Sequence, residues 1–129
     1  MINDLTKGKP WIIGGDFNLI RSLEEKKGGI HQLNPRTETF NEVIDTLNLV
    51  DVRTNNDNFT WNNKRTRDSG IACRLDRFLV TGSIIMNMGE LKASVLPSVG
   101  SNHWPIKLEW KNVGPNLRRP FCFEKFWLL

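Results

Sequence analysis

The sequence predicts a mixed α/β or α+β sheet protein. Short apolar runs bounded by turn residues indicate strands, one longer segment carries apolar residues at helical spacing, and a second helical signal is short. The 129 residues are enough for one packed core, and a hydrophobic fraction of 39% with five Trp and seven Phe is typical of a folded chain.

The first predicted strand covers residues 11–13, where three bulky apolar residues follow one another. Gly14 and Gly15 come next and predict a sharp turn, which would place Asp16 and Asn18 just beyond the strand. A carboxylate and an amide so placed can hold a water or a cation. They can equally cap backbone amides within the turn, and the motif alone does not decide between the two roles.

A solvated loop and a helix follow. The loop is predicted over residues 21–34, where the run Glu24-Glu25-Lys26-Lys27 favours exposure. Asn34 as a cap and Pro35 in the first turn predict a helix over residues 35–47. Its apolar face repeats at helical spacing through Phe40, Val43, Ile44 and Leu47. Residues 49–52 then predict a strand or the lead-in to one.

A basic hairpin is predicted in the middle of the chain. Residues 59–61 and 74–80 have the composition of two antiparallel strands, and the loop 62–73 between them is rich in Lys and Arg. This loop either follows a nucleic-acid backbone or is an ordinary charged loop. Its candidate contacts to nucleic acid are Lys64, Arg65 and Arg67.

The C-terminal third predicts a short helix, two strands and a tail. Thr81 or Ser83 can cap the helix. Residues 91–96 and 106–110 predict strands, and the second alternates apolar with polar residues as a half-buried strand does. Residues 112–129 predict a linker and then an apolar segment that belongs to an interface or to a further domain.

Composition excludes several classes of protein. The formal net charge of +4 suits a polyanionic partner without requiring one. Two cysteines do not make a disulfide framework, and with only two histidines they do not make a recognisable zinc site. No apolar run approaches the roughly 20 residues that cross a bilayer. The chain also starts without the apolar stretch of a signal peptide, so we expect an intracellular protein.

Asp76 interrupts an apolar strand, and a carboxylate buried there requires a partner. A flanking arginine, Arg74 or Arg77, would make a structural salt bridge. The alternative partner is His103, in the loop before the last core strand. An Asp that holds one ring nitrogen of a histidine leaves the other nitrogen free to act on a substrate. The residues themselves leave both pairings open.

Three short motifs occur in order: Gly15-Asp16-Phe17-Asn18, Arg74-Leu75-Asp76-Arg77-Phe78 and Ser101-Asn102-His103-Trp104-Pro105. Their order and spacing resemble the later motifs of the endonuclease/exonuclease/phosphatase superfamily. Two further stretches, Phe59-Thr60-Trp61-Asn62 and Pro120-Phe121-Cys122-Phe123-Glu124, make the likeness more specific. With them, the chain resembles the endonuclease of plant LINE-type (non-long-terminal-repeat) retrotransposons over nearly all of its length.

The resemblance implies a phosphodiester hydrolase that cuts DNA with Mg²⁺ or Mn²⁺. Asp16 matches the general base for the attacking water, and Asn18 matches the amide that holds the phosphate or that water. Asp76 matches the carboxylate that orients the catalytic histidine. His103 matches that histidine, which stabilises charge on the phosphate. A nuclear location and a downstream reverse transcriptase are implied in the same way.

Two departures from the family pattern predict weak or no activity. Asn102 stands where the family places an acid at the metal site, and an amide oxygen ligates a cation without adding charge. The family's principal metal-binding glutamate lies in an N-terminal half that would precede Met1. The resemblance thus implies that residues 1–111 are the C-terminal half of a four-layer α/β/β/α sandwich, and that 112–129 lead towards a reverse transcriptase.

Two other functions stay open at this point. A non-catalytic remnant would bind nucleic acid through the basic loop and the C-terminal tail alone. A phosphatase acting on small phosphate esters would share the same motifs. The arginine-rich hairpin and the retrotransposon-like C-terminus favour the endonuclease over the phosphatase.

Overall fold

A computed structural model describes residues 10–65, 69–87, 89–111 and 123–124. Within these ranges the chain forms short strands, two helices and a 3-10 turn at Leu23–Glu25. The helices are α1 (Arg36–Thr46) and α2 (Gly82–Asn87). The strands are β1 (Ile12–Asp16), β2 (Lys26–Lys27), β3 (Leu49–Val52), β4 (Trp61–Asn62), β5 (Ala72–Cys73), β6 (Asp76–Thr81), β7 (Glu90–Val95), β8 (Ile106–Lys111) and β9 (Phe123–Glu124). The predicted mixture of strands and helices is therefore confirmed.

Strand β6 is the centre of the first sheet. It pairs antiparallel with β1 on one side and with β3 on the other. All six residues of β6 are buried, as expected for a strand that has a neighbour on both edges and packing on both faces. The β1 register places Ile12 opposite Val80 and Asp16 opposite Asp76. This register brings the polar ends of the two strands together.

Two smaller antiparallel sheets complete the described part of the chain. In one, β5 pairs with β2 and with β4, so that β4 and β5 form a hairpin largely inside the segment predicted to be a basic loop. In the other, β8 pairs with β7 along its length and with β9 at Lys107 and Leu108. A parallel bridge between Thr54 and Ala93 ties the end of β3 to β7.

The core lies between the β6 sheet and the β7–β8 sheet. Because strand side chains alternate between faces, Phe78 and Val80 share one face of β6. They pack with Ile84 of α2 and with the inward residues of β7 and β8, which are Ala93, Val95, Ile106 and Leu108. Each of these side chains is at most 5% exposed. Burial of each large apolar side chain among them contributes about 1.5–3 kcal/mol to the free energy of folding.

Helix α1 lies against β3, outside this core. Ile44 is buried, whereas Val43 is 43% exposed, so the apolar face is narrower than its sequence predicts. Asn34 acts just before the helix, where its Oδ1 accepts the backbone N–H of Arg36 at 2.8 Å. The ring of Phe40 lies 5.4 Å from that of Phe17, which ties the helix to the segment after β1.

Three local predictions are wrong. Gly14 and Gly15 do not turn the chain, because both lie within β1 and the strand continues to Asp16. Residues 59–61 and 74–80 do not pair with each other, because β4 pairs with β5 while β6 takes β1 and β3. Glu25 belongs to a predicted solvated run, yet it is 3% exposed. In each case a long-range pairing overrode a local signal.

The tail prediction for 112–120 falls outside the described residues, and of 121–129 only the pairing of β9 is described. Among the described residues, no helix combines the length and the apolar character needed to cross a membrane.

Candidate functional site

Asp76 and His103 form the centre of the candidate site. Asp76 opens β6 and is fully buried, and its Oδ2 lies 3.0 Å from Nδ1 of His103. The His103 side chain is 25% exposed, so the ring connects a buried carboxylate to the surface. The histidine, one of the two kinds of partner that the sequence allowed for Asp76, is therefore at hydrogen-bonding distance from it.

Asp16 lies on the other side of the same ring. It is opposite Asp76 in the β1–β6 ladder, and its Oδ2 lies 3.5 Å from Nε2 of His103. Both ring nitrogens therefore face carboxylates, one at hydrogen-bonding distance and one slightly beyond it. The Asp16 side chain is 16% exposed, which leaves it accessible to a small molecule such as water.

Asn18 completes the first motif in an exposed turn. Its backbone N–H donates to Oδ1 of Asp16 at 2.8 Å, and its φ is +58°. An Asn tolerates this left-handed conformation better than most residues. One carboxylate oxygen of Asp16 thus caps the turn, which is one of the two roles that the sequence allowed, and the other oxygen faces His103. The Asn18 side chain is at the surface beside it.

The loop that carries His103 is attached to the β4–β5 hairpin. Ser101 Oγ accepts the backbone N–H of His103 at 3.1 Å, which closes a local turn. The backbone N–H of Asn62 donates to the carbonyl of Asn102 at 3.1 Å, and an isolated bridge pairs Trp61 with His103. The hairpin and the candidate catalytic loop therefore share one hydrogen-bonded segment.

Four side chains, Glu25, Asp51, Arg74 and Arg77, form a buried ion cluster. Arg74 binds Oε2 of Glu25 at 2.8 Å and Oδ1 of Asp51 at 2.6 Å. Arg77 binds Oε1 of Glu25 and Oδ2 of Asp51, both at 2.8 Å. Every side chain in the cluster is at most 6% exposed. The guanidinium groups of both arginines are thus paired with these two acids.

The pKa values of the acids in this cluster reflect the arginines. Burial raises the pKa of Asp51, but hydrogen bonds and charge from Arg74 and Arg77 outweigh it and lower the pKa to about 2. Burial likewise opposes ionisation of Glu25, and the hydrogen bond from Arg77 with other contacts still lowers its pKa. Burial lowers the pKa of Arg74, and its bond to Asp51 reverses the direction. The ionised forms of Glu25, Asp51 and Arg74 are therefore favoured.

The three central side chains fit a magnesium ion poorly. Asp16, Asp76 and His103 each offer one ligand atom, and these atoms lie within 4.8 Å of one another. Mg²⁺ takes oxygen ligands and keeps several waters. Asp76, however, is buried with Oδ2 bonded to the imidazole, and the other ring nitrogen faces Asp16. The arrangement suits a hydrogen-bonded relay rather than a hydrated magnesium ion, and the exposed Asn102 adds a neutral oxygen at most.

Two of the predicted nucleic-acid contacts lie at the tip of the β4–β5 hairpin. Lys64 and Arg65 are exposed, and Arg67 falls outside the described residues. Lys64 has a φ of +59°, and its backbone N–H donates to Oδ1 of Asn62 at 2.8 Å. The turn is thus held by its asparagines while its cations face solvent.

Comparison of the chain with family models, with curated proteins and with solved structures finds no match. A function for the chain therefore has to be inferred from the geometry of its described residues.

Sequence reasoning missed the acids of the buried ion cluster. Asp51 lies in an apolar strand, as Asp76 does, so the same signal of an acid among apolar residues marked it. Glu25 gave no such signal, because it stands in a charged run where exposure is the ordinary outcome.

Proposed function

We propose that this chain is a phosphodiester hydrolase acting on DNA, with Asp16, Asp76 and His103 as its reactive centre. The observation that carries the proposal is the position of the His103 ring between a buried carboxylate and an accessible one. An imidazole held in this way can present a proton at a defined atom. An Asp beside it can orient and deprotonate a water.

In the proposed reaction, Asp76 accepts the Nδ1–H of His103 and holds the ring. The Nε2–H group then donates a hydrogen bond to a phosphate oxygen while negative charge builds up on that oxygen. Asp16 takes a proton from the attacking water and aligns that water with the phosphorus. As the new P–O bond forms, the bond from phosphorus to the leaving sugar oxygen breaks, and that oxygen takes a proton from solvent. The 3.5 Å between Nε2 and the Asp16 carboxylate leaves each group available to a different part of the substrate.

The family and the finer fold belong to the same proposal. We assign the chain to the endonuclease/exonuclease/phosphatase superfamily, as an endonuclease of a LINE-type retrotransposon that works in the nucleus with a reverse transcriptase. The packing of the β6 sheet on the β7–β8 sheet, with α1 outside, supports a part of a four-layer α/β/β/α sandwich. The exposed Lys64 and Arg65, on a hairpin joined to the His103 loop, support DNA as the substrate.

We expect low activity, because the exposed Asn102, which precedes His103, offers a cation a neutral oxygen and no charge. A requirement for Mg²⁺ or Mn²⁺ is part of the proposal. The proton transfers assigned to Asp16 and His103 do not pass through the ion, since the three central side chains fit it poorly.

The test is nicking of a supercoiled plasmid by the full chain over a range of Mg²⁺ and Mn²⁺ concentrations. We expect slow nicking that is lost in Asp16→Asn and His103→Gln, and faster nicking in Asn102→Asp, which adds a carboxylate for the cation. The matched control is His31→Gln, because His31 is exposed in a loop. If neither the chain nor Asn102→Asp nicks DNA in either metal, the hydrolase proposal is wrong.

The second candidate function is DNA binding without cleavage. It is favoured by the exposed cations at the hairpin tip and by the formal net charge of +4. This function predicts salt-sensitive DNA binding that survives Asp16→Ala and His103→Ala but weakens when Lys64, Arg65 and Arg67 are neutralised. A loss of nicking with DNA binding retained in the two site variants instead supports the hydrolase.

A further inference from the structure

Thr60 is joined by hydrogen bonds to both halves of the candidate site. Its side chain is fully buried, and its Oγ1 accepts the backbone N–H groups of Leu75 and Asp76, each at 3.0 Å. Its carbonyl accepts the backbone N–H of Trp104 at 2.7 Å, one residue beyond His103. Its own N–H donates to the carbonyl of Cys73 at 3.0 Å.

These bonds link two segments that are distant in sequence. The hydroxyl fixes the backbone where β6 begins, and Asp76 is the first residue of that strand. The carbonyl fixes the backbone of the loop that carries His103, and the adjacent Trp61 bridges to His103 itself. One buried residue is therefore hydrogen-bonded to both of the backbone segments that carry the Asp76–His103 pair.

The chemistry of threonine suits this position. A hydroxyl oxygen has two acceptor sites, so it can accept from both amide N–H groups at once. A β-branched side chain is also stiff, so the oxygen is held in one direction. Valine has the same shape without an acceptor, so it would remove both of these hydrogen bonds.

We propose that Thr60 is a positioning residue for the Asp76–His103 hydrogen bond. It does not touch the substrate or the reacting atoms. Its hydroxyl positions the backbone of Asp76, and its carbonyl positions the loop that carries His103, so that the carboxylate and the imidazole meet. Its effect on catalysis rests on the proposed hydrolase function, whereas its effect on the Asp76–His103 bond does not.

The test uses NMR of the histidine side chains in the full chain, with no substrate present. The Nδ1–H of His103 is observed directly, and exposed His31 is the internal reference. In Thr60→Val we expect a changed Nδ1–H chemical shift and exchange of this proton with water at least about tenfold faster, because the aspartate is no longer held. Thr60→Ser, which keeps the hydroxyl, should restore the original signal.

Thr81→Val is the matched control. Like Thr60, Thr81 is buried. It lies at the end of β6 opposite to Asp76, and its hydroxyl accepts the backbone N–H of Trp11 at 3.0 Å. This variant should leave the His103 signal in place. An equal change in Thr60→Val and Thr81→Val would show a general loss of stability and would overturn the proposal, as would a folded Thr60→Val with an unchanged signal.

Two further outcomes keep the test decisive. Should Thr60→Val not fold, the same His103 signal is measured in Thr60→Cys, because a thiol is a weak acceptor of similar size. Should the chain fail to cut DNA while the His103 signal responds to Thr60→Val, the positioning role stands and the hydrolase function fails.

Discussion

Asp16 and Asp76 face each other across the β1–β6 ladder, and the imidazole of His103 lies between their carboxylates. Like charges directly opposite on two strands are destabilising. A histidine between them can offset that repulsion, because Nδ1 lies at hydrogen-bonding distance from Asp76 and Nε2 faces Asp16. The arrangement gives His103 a role in stability that can be measured apart from any activity.

Removing His103 is expected to destabilise the protein. We predict that His103→Ala lowers the free energy of unfolding by about 1–3 kcal/mol, because Asp76 loses a buried hydrogen-bond partner. The loss should be smaller in an Asp16→Asn background, where the opposing charge is already gone. Urea unfolding of the two single variants and of the double variant measures this coupling. Equal losses in both backgrounds would contradict it.

The buried ion cluster predicts a larger loss. Glu25→Gln leaves the guanidinium groups of Arg74 and Arg77 short of one buried counter-charge, which costs about 3–5 kcal/mol. The neighbouring Glu24 is exposed and provides the matched control, since Glu24→Gln should change stability by no more than about 0.5 kcal/mol. Equal urea unfolding midpoints for the two variants would show that Glu25 does not stabilise the protein through the cluster.

Asp51 predicts how stability depends on pH. Its pKa falls from an ordinary value of 3.8 to about 2 in the folded chain. A lowered pKa contributes stability that is present in full above the unfolded value and is lost as the pH falls through the folded one. At about 1.4 kcal/mol per pKa unit, the contribution is about 2–3 kcal/mol.

The measurement is unfolding by urea between pH 5 and pH 2, with Asp51→Asn beside the original chain. We expect the original chain to lose stability more steeply over this window, because the variant has no carboxyl to protonate at that position. Parallel curves for the two proteins would show that Asp51 does not supply the pH dependence.

Gly28, just after β2, lies where a larger residue would clash with the backbone. Its φ is +78°, and an added Cβ would lie 2.1 Å from the carbonyl oxygen of Gly70. Gly100 has a similar φ of +80° with open space around the same position. Gly100→Ala should therefore cost about 1 kcal/mol from backbone strain alone.

Gly28→Ala should cost clearly more, because the backbone at Gly70 must also shift. Thermal unfolding of the two variants separates steric contact from backbone strain. A melting temperature for Gly28→Ala no lower than that of Gly100→Ala would contradict the close approach.

Local patterns in the sequence determined most of the secondary structure. The helix Arg36–Thr46 follows from apolar spacing and from Asn34 before it, and the strand Ile106–Lys111 follows from alternation. Each of these signals lies within a short stretch of sequence, and within such a stretch the spacing of apolar residues predicts which side chains are buried. The need of Asp76 for a partner could also be predicted, because an acid in an apolar strand has few stable outcomes.

Which partner each charged residue takes was decided only by the tertiary structure. His103 reaches Asp76 from 27 residues away, and Arg77 reaches Glu25 from 52 residues away. Adjacent residues of a strand point to opposite faces, so Asp76 faces the site while Arg77 faces the ion cluster. Strand register and the crossing of loops set these pairings, and neither leaves a signal in the neighbouring residues. The sequence by itself determined that Asp16, Asp76 and His103 were candidates, and the fold decided that they meet.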